Sequence, residues 1–457
     1  MNTKPNTRNI LLIFQFLISF FFITIFFMLK NSNSFDIDTN FLLILTQVMF
    51  IYILLTTLLF IKKTSLYSIF IFCYFIFNLG RIFISESNEI TSFLSVSGIM
   101  YFSNEIINES ILFNICVISL IHFGFFMSLY IRKKSSHPIL PNYALFSYAR
   151  VLFFISFPLC LIKFLFEIKT IAEIGYVGYY KYGTDAPFII NVMRFIFEIS
   201  FLLILASKPN YYIFKKYTFL FLLTMSLFLI IGVRSKFILY FIFILWYYYK
   251  FYAKKDIGFL KVITFIIILI FSLILVQLNR QNWIFNSDLN YFKYFFISQG
   301  VSFYILPLTI HYINEFKDII PSIFSSFSIN SLIYTSQNIE RLNNVGFLGD
   351  VISYNHLGSY YFDGNGLGGS FIAELYQAGS LITIILSISL GFFINYFDIS
   401  VTKNRYLLAI SFYIVSNIAY MPRSVFFKAP YMLLSYFIIF LFLSSLPKIR
   451  IFIKKKI

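Results

Sequence analysis

Three arginines stand where apolar sequence gives way to polar: Arg234 in Gly232-Val-Arg-Ser-Lys236, Arg280 in Asn279-Arg-Gln-Asn282, and Arg423 in Met421-Pro-Arg-Ser-Val-Phe-Phe-Lys428. A cation held at or near the depth of an apolar phase costs free energy, so it marks either a function or a lipid contact. The guanidinium fork matches phosphate oxygens two at a time, so Arg234, Arg280 and Arg423, with Lys236, could clamp an anionic, phosphate-bearing group. The structural alternative is that each side chain snorkels to lipid phosphates. General-base chemistry needs a different residue type, and His356 and Glu374 are the candidates. Alternatively, His356 is an ordinary loop residue and Glu374 caps a helix start. Within apolar runs, Lys163 and Glu167 are four apart, as are Arg194 and Glu198, so each pair shares one helix face. With Arg81, these residues form either helix-locking ion pairs or the lining of a polar cavity.

The elements that must position these groups are membrane helices. Of 457 residues, 59% are hydrophobic and only 12% charged, and the mean hydropathy is +0.82. A soluble domain is about one quarter charged. The expected fold is therefore all-α, a polytopic transmembrane bundle. A bilayer core takes about 20 apolar residues per helix. That rule gives about twelve spans, near 10–29, 41–61, 66–84, 111–130, 151–168, 187–206, 217–233, 237–252, 262–278, 381–397, 406–420 and 431–446. Residues 1–278 thus carry nine spans, 279–380 form one long extracytoplasmic loop with short helices, and 381–457 carry three spans and a basic tail.

Charge tests this arrangement. With the N-terminus inside, cytoplasmic segments hold 22 of the 36 basic residues and only two of the 19 acids, Asp256 and Asp398. The remaining chain has 14 cations and 17 anions, so the whole net charge of +17 lies on one side, as the positive-inside rule requires. Both termini are then cytoplasmic. The stretch 294–310 is apolar but interrupted by Gln299, Gly300 and Pro307, which suits a re-entrant or interfacial helix better than a span. No basic face on a soluble domain exists, which excludes a nucleic-acid partner. Cys73, Cys116 and Cys160 lie in apolar runs without metal-binding spacing, so no metal site or disulfide framework is expected.

The segment Gly366-Leu-Gly-Gly-Ser370-Phe-Ile-Ala-Glu374-Leu-Tyr376-Gln-Ala-Gly379 opens a helix near Ser370 and leads into the tenth span. The glycines lack the βαβ context of a dinucleotide loop. With the outer Pro422-Arg-Ser-Val-Phe426, the Gly232-Val-Arg234 turn and one long late loop, the chain resembles the Wzy family of bacterial O-antigen or oligosaccharide repeat-unit polymerases. The resemblance implies a metal-independent membrane glycosyltransferase without cofactors, working at the periplasmic face of the inner membrane. It would transfer a growing glycan from undecaprenyl diphosphate to the next lipid-linked repeat unit. Arg234, Arg280 and Arg423 would hold the diphosphate, and His356 or Glu374 would deprotonate the acceptor hydroxyl. The implied partners are the lipid-linked donor and acceptor, membrane lipids and a chain-length regulator. An O-antigen ligase and a lipid-linked oligosaccharide flippase or transporter remain the alternatives.

Overall fold

The computed structural model describes residues 5–32, 34–95, 98–130, 139–184, 186–258, 264, 267, 271, 291–313, 322–334, 336–428 and 430–456. Among them, eight helices are long and apolar enough to cross a bilayer: Asn9–Ser32, Thr39–Phe60, Leu66–Ile84, Asn104–Ser128, Tyr143–Gly175, Phe188–Ala206, Tyr211–Ile231 and Ser380–Ser400. The chain is an all-α multi-pass membrane protein. The expected span at 237–252 lies within the helix Arg234–Phe251, and that at 431–446 lies within Pro430–Lys456. The span at 406–420 is made of two helices, Arg405–Ala409 and Ser411–Tyr420. Most of 262–278 lies outside the described residues.

Asn104–Ser128 is the axis of the bundle, almost wholly buried and packed against Pro5–Ser32, Thr39–Phe60 and Ser380–Ser400. Lipid tails are as apolar as leucine, so membrane helices associate through close packing and hydrogen bonds rather than apolar burial. Both devices are present. A Cβ on Gly124 would stand 1.9 Å from the Ile388 carbonyl oxygen, and one on Gly391 would stand 1.8 Å from that of Ile121. The two backbones therefore touch, which no larger residue would permit. Around this contact, Gln15 Nε2 donates to the Ser119 carbonyl at 2.8 Å and Asn395 Nδ2 to Ser128 Oγ at 2.7 Å. His122 joins Thr56 Oγ1 at 2.8 Å and Tyr67 Oη at 2.9 Å, which accounts for a histidine inside a span.

At one end of the bundle Asp398 accepts from Trp246 Nε1 and Lys250 Nζ, each at 2.8 Å, and Asp256 accepts from the Lys63 amide at 2.8 Å. The two acids of the basic side are thus both engaged by that side's own groups. At the other end lie three departures from straight helix. The Leu66–Ile84 span contains a π-helical turn, Phe75–Leu79, which carries one extra residue per turn and re-aims the side chains that follow. Next comes a short hairpin, Ser92–Ser95 paired antiparallel with Gly98–Tyr101. The stretch 294–310 forms two helices, Tyr291–Gln299 and Val301–His311, meeting at Gly300. Leu348–Leu357 and Phe371–Ala378 close over the same region.

Candidate active site

The π-turn is where the site begins. It directs Asn78 Nδ2 to the Pro422 carbonyl at 2.8 Å and sets the Phe77 ring 5.4 Å from the Arg423 guanidinium. Arg423 Nη1 also donates to Gln299 Oε1, at the break between the two short helices. Held from three directions, Arg423 lines a cavity of about 440 Å³. This is within the range of small-molecule sites. The same cavity is lined by the glycine-rich residues Gly366, Leu367 and Gly368 and by Phe93, Ser302 and Tyr420.

The walls are braced. Leu367 N donates to Ser353 Oγ at 3.0 Å and Gln337 Nε2 to the Asn365 carbonyl at 3.2 Å, which fixes the glycine-rich turn. Arg341 Nε bonds Asp350 Oδ2 at 2.6 Å, locking the preceding helix. Arg81 is buried, donating to the carbonyls of Ile297 at 3.2 Å and Ser92 at 3.4 Å. Its guanidinium lies 4.1 Å from the Tyr304 ring centre. A Cβ on Gly300 would stand 2.6 Å from Arg81 Cβ, so the helix break leaves room for this arginine. Phe93 stacks on Tyr304 at 4.9 Å and meets His356 at 5.6 Å. Arg81, through Tyr304, and His356, directly, thus both pack toward the lining residue Phe93.

The electrostatics are those of a cation-rich chamber. Lys428 Nζ lies 4.1 Å over the Tyr420 ring. Burial, with nearby Lys236 adding repulsion, pulls its ammonium down to about 8. Bringing an anion near such groups relieves the repulsion that depresses them. Burial also lowers the His356 pKa, as does the neighbouring His311, which leaves the imidazole neutral near pH 7. Glu374 behaves oppositely. It is 1% exposed, and burial pushes its carboxyl up to about 8 even though Oε2 accepts from the Phe426 amide at 2.7 Å.

The turn before the Arg234–Phe251 helix is Gly232–Val233, with Gly232 left-handed at φ 85°. Arg234 and Lys236 thus already belong to the helix rather than to the turn. Lys236 Nζ stands 5.2 Å and the Arg194 guanidinium 5.6 Å from the Phe228 ring. Arg280 lies outside the described residues. Lys163, Glu167 and Arg194 form one buried network, with Glu167 Oε1 2.5 Å from Arg194, 3.7 Å from Lys163 and 2.9 Å from Tyr179 Oη. Glu198 accepts from Tyr240 at 2.8 Å. Sequence reasoning missed Asn78 and the part played by Gln299. Polar residues inside apolar stretches were the available signal.

The family model described as O-antigen polysaccharide polymerase Wzy matches residues 10–456, nearly the whole chain. The chain belongs to the Wzy family. Wzy proteins are membrane enzymes that polymerise O-antigen from lipid-linked oligosaccharide repeat units. No curated protein and no solved structure matches the chain. In this Wzy chain, the cavity lined by Arg423 has room for a ligand, with Lys428 packed on its lining residue Tyr420 and His356 on its lining residue Phe93. Among the described residues no cluster of His, Cys, Asp or Glu is arranged to hold a metal ion.

Proposed function

We propose that this Wzy protein joins undecaprenyl-diphosphate-linked oligosaccharide repeat units at the periplasmic face of the inner membrane, with both termini in the cytoplasm. The asymmetry of basic residues supports that sidedness. The observation that carries the reading is Arg423, fixed by Gln299, Phe77 and the π-turn on the wall of a cavity that the glycine-rich backbone also lines. Arg423 grips the donor diphosphate, with Lys428, Lys236, Arg234 and Arg280 adding positive charge. An acceptor hydroxyl oxygen attacks the donor's anomeric carbon, the bond from that carbon to the diphosphate oxygen breaks, and the proton passes to the His356 imidazole. The lipid diphosphate leaves with the bonding pair, and preorganised cations stabilise the charge it gains without a divalent ion. Of the two base candidates we favour His356, which is neutral near pH 7 and packs on the lining residue Phe93. Glu374 is buried and mostly protonated at pH 7.

The test is the surface polysaccharide of a clean deletion strain, run beside wild type and a complemented strain. Core bearing a single repeat and no ladder is the expected result. Bare core overturns the reading in favour of flipping or ligation, and lipid-linked long polymer behind it assigns a ligase.

A further inference from the structure

A second cavity lies beside Tyr376, near the end of the Phe371–Ala378 helix, and shares no lining residue with the first. Its volume is about 370 Å³, and it opens between Pro5–Ser32, Asn104–Ser128 and Ser380–Ser400. Phe113 to Leu120, with Cys116 between, are seven helical steps apart, about 10 Å of depth at 1.5 Å per residue. Across from them stand half-buried Ile23, Phe27 and Ile384, so the slot faces the lipid side of the bundle. Its chemistry changes along its length. The deep part is apolar, and the end toward the large loop carries Lys30, Asn31, Tyr376 and Ser380.

Lys30 has an unusual setting. Its Nζ lies 4.1 Å over the Tyr376 ring and 3.9 Å from Glu109 Oε1, while Tyr376 Oη donates to that same carboxylate oxygen at 2.6 Å. Among the described residues the ammonium makes no hydrogen bond, although its side chain is 43% exposed. Its three N–H donors are thus held at the mouth of an apolar slot by a ring and a distant carboxylate. We propose that this cleft binds one phosphate-headed membrane lipid, its phosphate on Lys30 and its chain in the Phe113–Leu120 slot. A neutral lipid would leave the lysine donors unmet, and a soluble anion would leave the apolar depth unfilled. The proposal requires only that the chain spans a membrane, and it stands apart from the reaction assigned to the Arg423 cavity.

The test is native mass spectrometry of the full chain in detergent, titrated with phosphatidylglycerol, a polyprenyl monophosphate and diacylglycerol. One phosphate lipid should be retained at least about 10-fold better than diacylglycerol, and Lys30→Ala should erase that preference. Ile384→Trp, which fills the slot and leaves the charges in place, should lower retention of all chains. Retention of phosphatidylglycerol alone would identify a structural lipid, and of the polyprenyl phosphate alone a carrier lipid; either supports the site. Equal retention of diacylglycerol, or wild-type retention by both variants, would overturn it. Lys169→Ala, which removes an exposed lysine paired with Glu173, serves as the control: it should leave retention unchanged, and an equal loss there would mean that retention follows net charge rather than the cleft and would overturn the proposal as well.

Discussion

Glu374 and Phe426 are joined by a 2.7 Å hydrogen bond from the Phe426 amide to Glu374 Oε2, while the buried Glu374 Oε1 has no hydrogen-bond partner among the described residues. Phe426 is three residues after Arg423, so this bond ties the glycine-rich motif's helix to the loop that presents the arginine. With its carboxyl raised to about 8, Glu374 binds a proton on folding that the unfolded chain releases above about 4.5. Its ionisation therefore withdraws stability as pH rises from 4.5 through 8. Glu374→Gln keeps an acceptor for the amide and removes the titration. It should elongate glycan normally at pH 7 and show a flatter dependence of Tm on pH. Glu374→Ala, which leaves the amide unsatisfied, should cost about 1–3 kcal/mol. Loss of elongation in a well-folded Gln variant would instead make Glu374 the base.

Arg423→Ala should lower the rate of elongation in reconstituted membranes by about 100-fold or more while the protein inserts normally. Arg423→Lys should recover little of it, because an ammonium cannot bond Gln299 and a diphosphate with the guanidinium's fork. Polymer of wild-type length and rate from the Ala variant removes the clamp.

His356→Ala tests the base, with an expected loss of about 100-fold. Because burial and His311 hold the imidazole below its ordinary 6.5, the wild-type rate should stay level near neutrality and fall only on the acid side of that value. A rate that falls already above pH 6.5 contradicts the assignment.

Gly300→Ala is a test of the scaffold. The new methyl would stand 2.6 Å from Arg81 Cβ and 2.8 Å from the Phe296 carbonyl oxygen. Overpacking of this kind costs about 1–3 kcal/mol. A lowered Tm together with slower elongation is expected, since Gln299 would move with the helix break. A variant with unchanged Tm would mean that the two helices part more easily than their packing suggests.

Glu167→Ala leaves the Lys163 and Arg194 charges buried without their carboxylate, a loss of about 3–5 kcal/mol for a buried pair. Thermal unfolding in detergent should show a clear drop, and Arg194→Ala combined with it should fall less than the sum of the single changes. Additive losses would show that the two residues act independently.

The helical frame was legible because a bilayer imposes a length and an apolar composition that few other constraints resemble. The helix opening at Ser370 was legible too, since glycines followed by Ser and an apolar run mark a start; the structure places Ser370 at the N-cap of Phe371–Ala378. The Ser92–Tyr101 hairpin was not, because four-residue strands give too few alternations to stand out from apolar background. Nor could spacing show that Asn78 reaches Pro422, 344 residues away, or that Arg81 and His356 share the Tyr304–Phe93 stack. Spacing within a helix reports faces, whereas a site assembled from distant segments depends on how those faces meet. The buried Lys163–Glu167–Arg194 network is intermediate: its i, i+4 pairs were visible, and the bond across helices was not.

The backbone contact at Gly124 and Gly391 also sets a timetable for biosynthesis. One glycine is made early and the other 267 residues later (391 − 124), a gap of roughly ten to fifty seconds at ribosomal speed. Throughout that interval the nascent protein presents a bare groove along Asn104–Ser128, with carbonyls that only the late helix can approach so closely. A chaperone or insertase that shields this groove would thus have to let go when Ser380–Ser400 arrives, and any ribosome stalled before residue 391 would leave a partner without its mate.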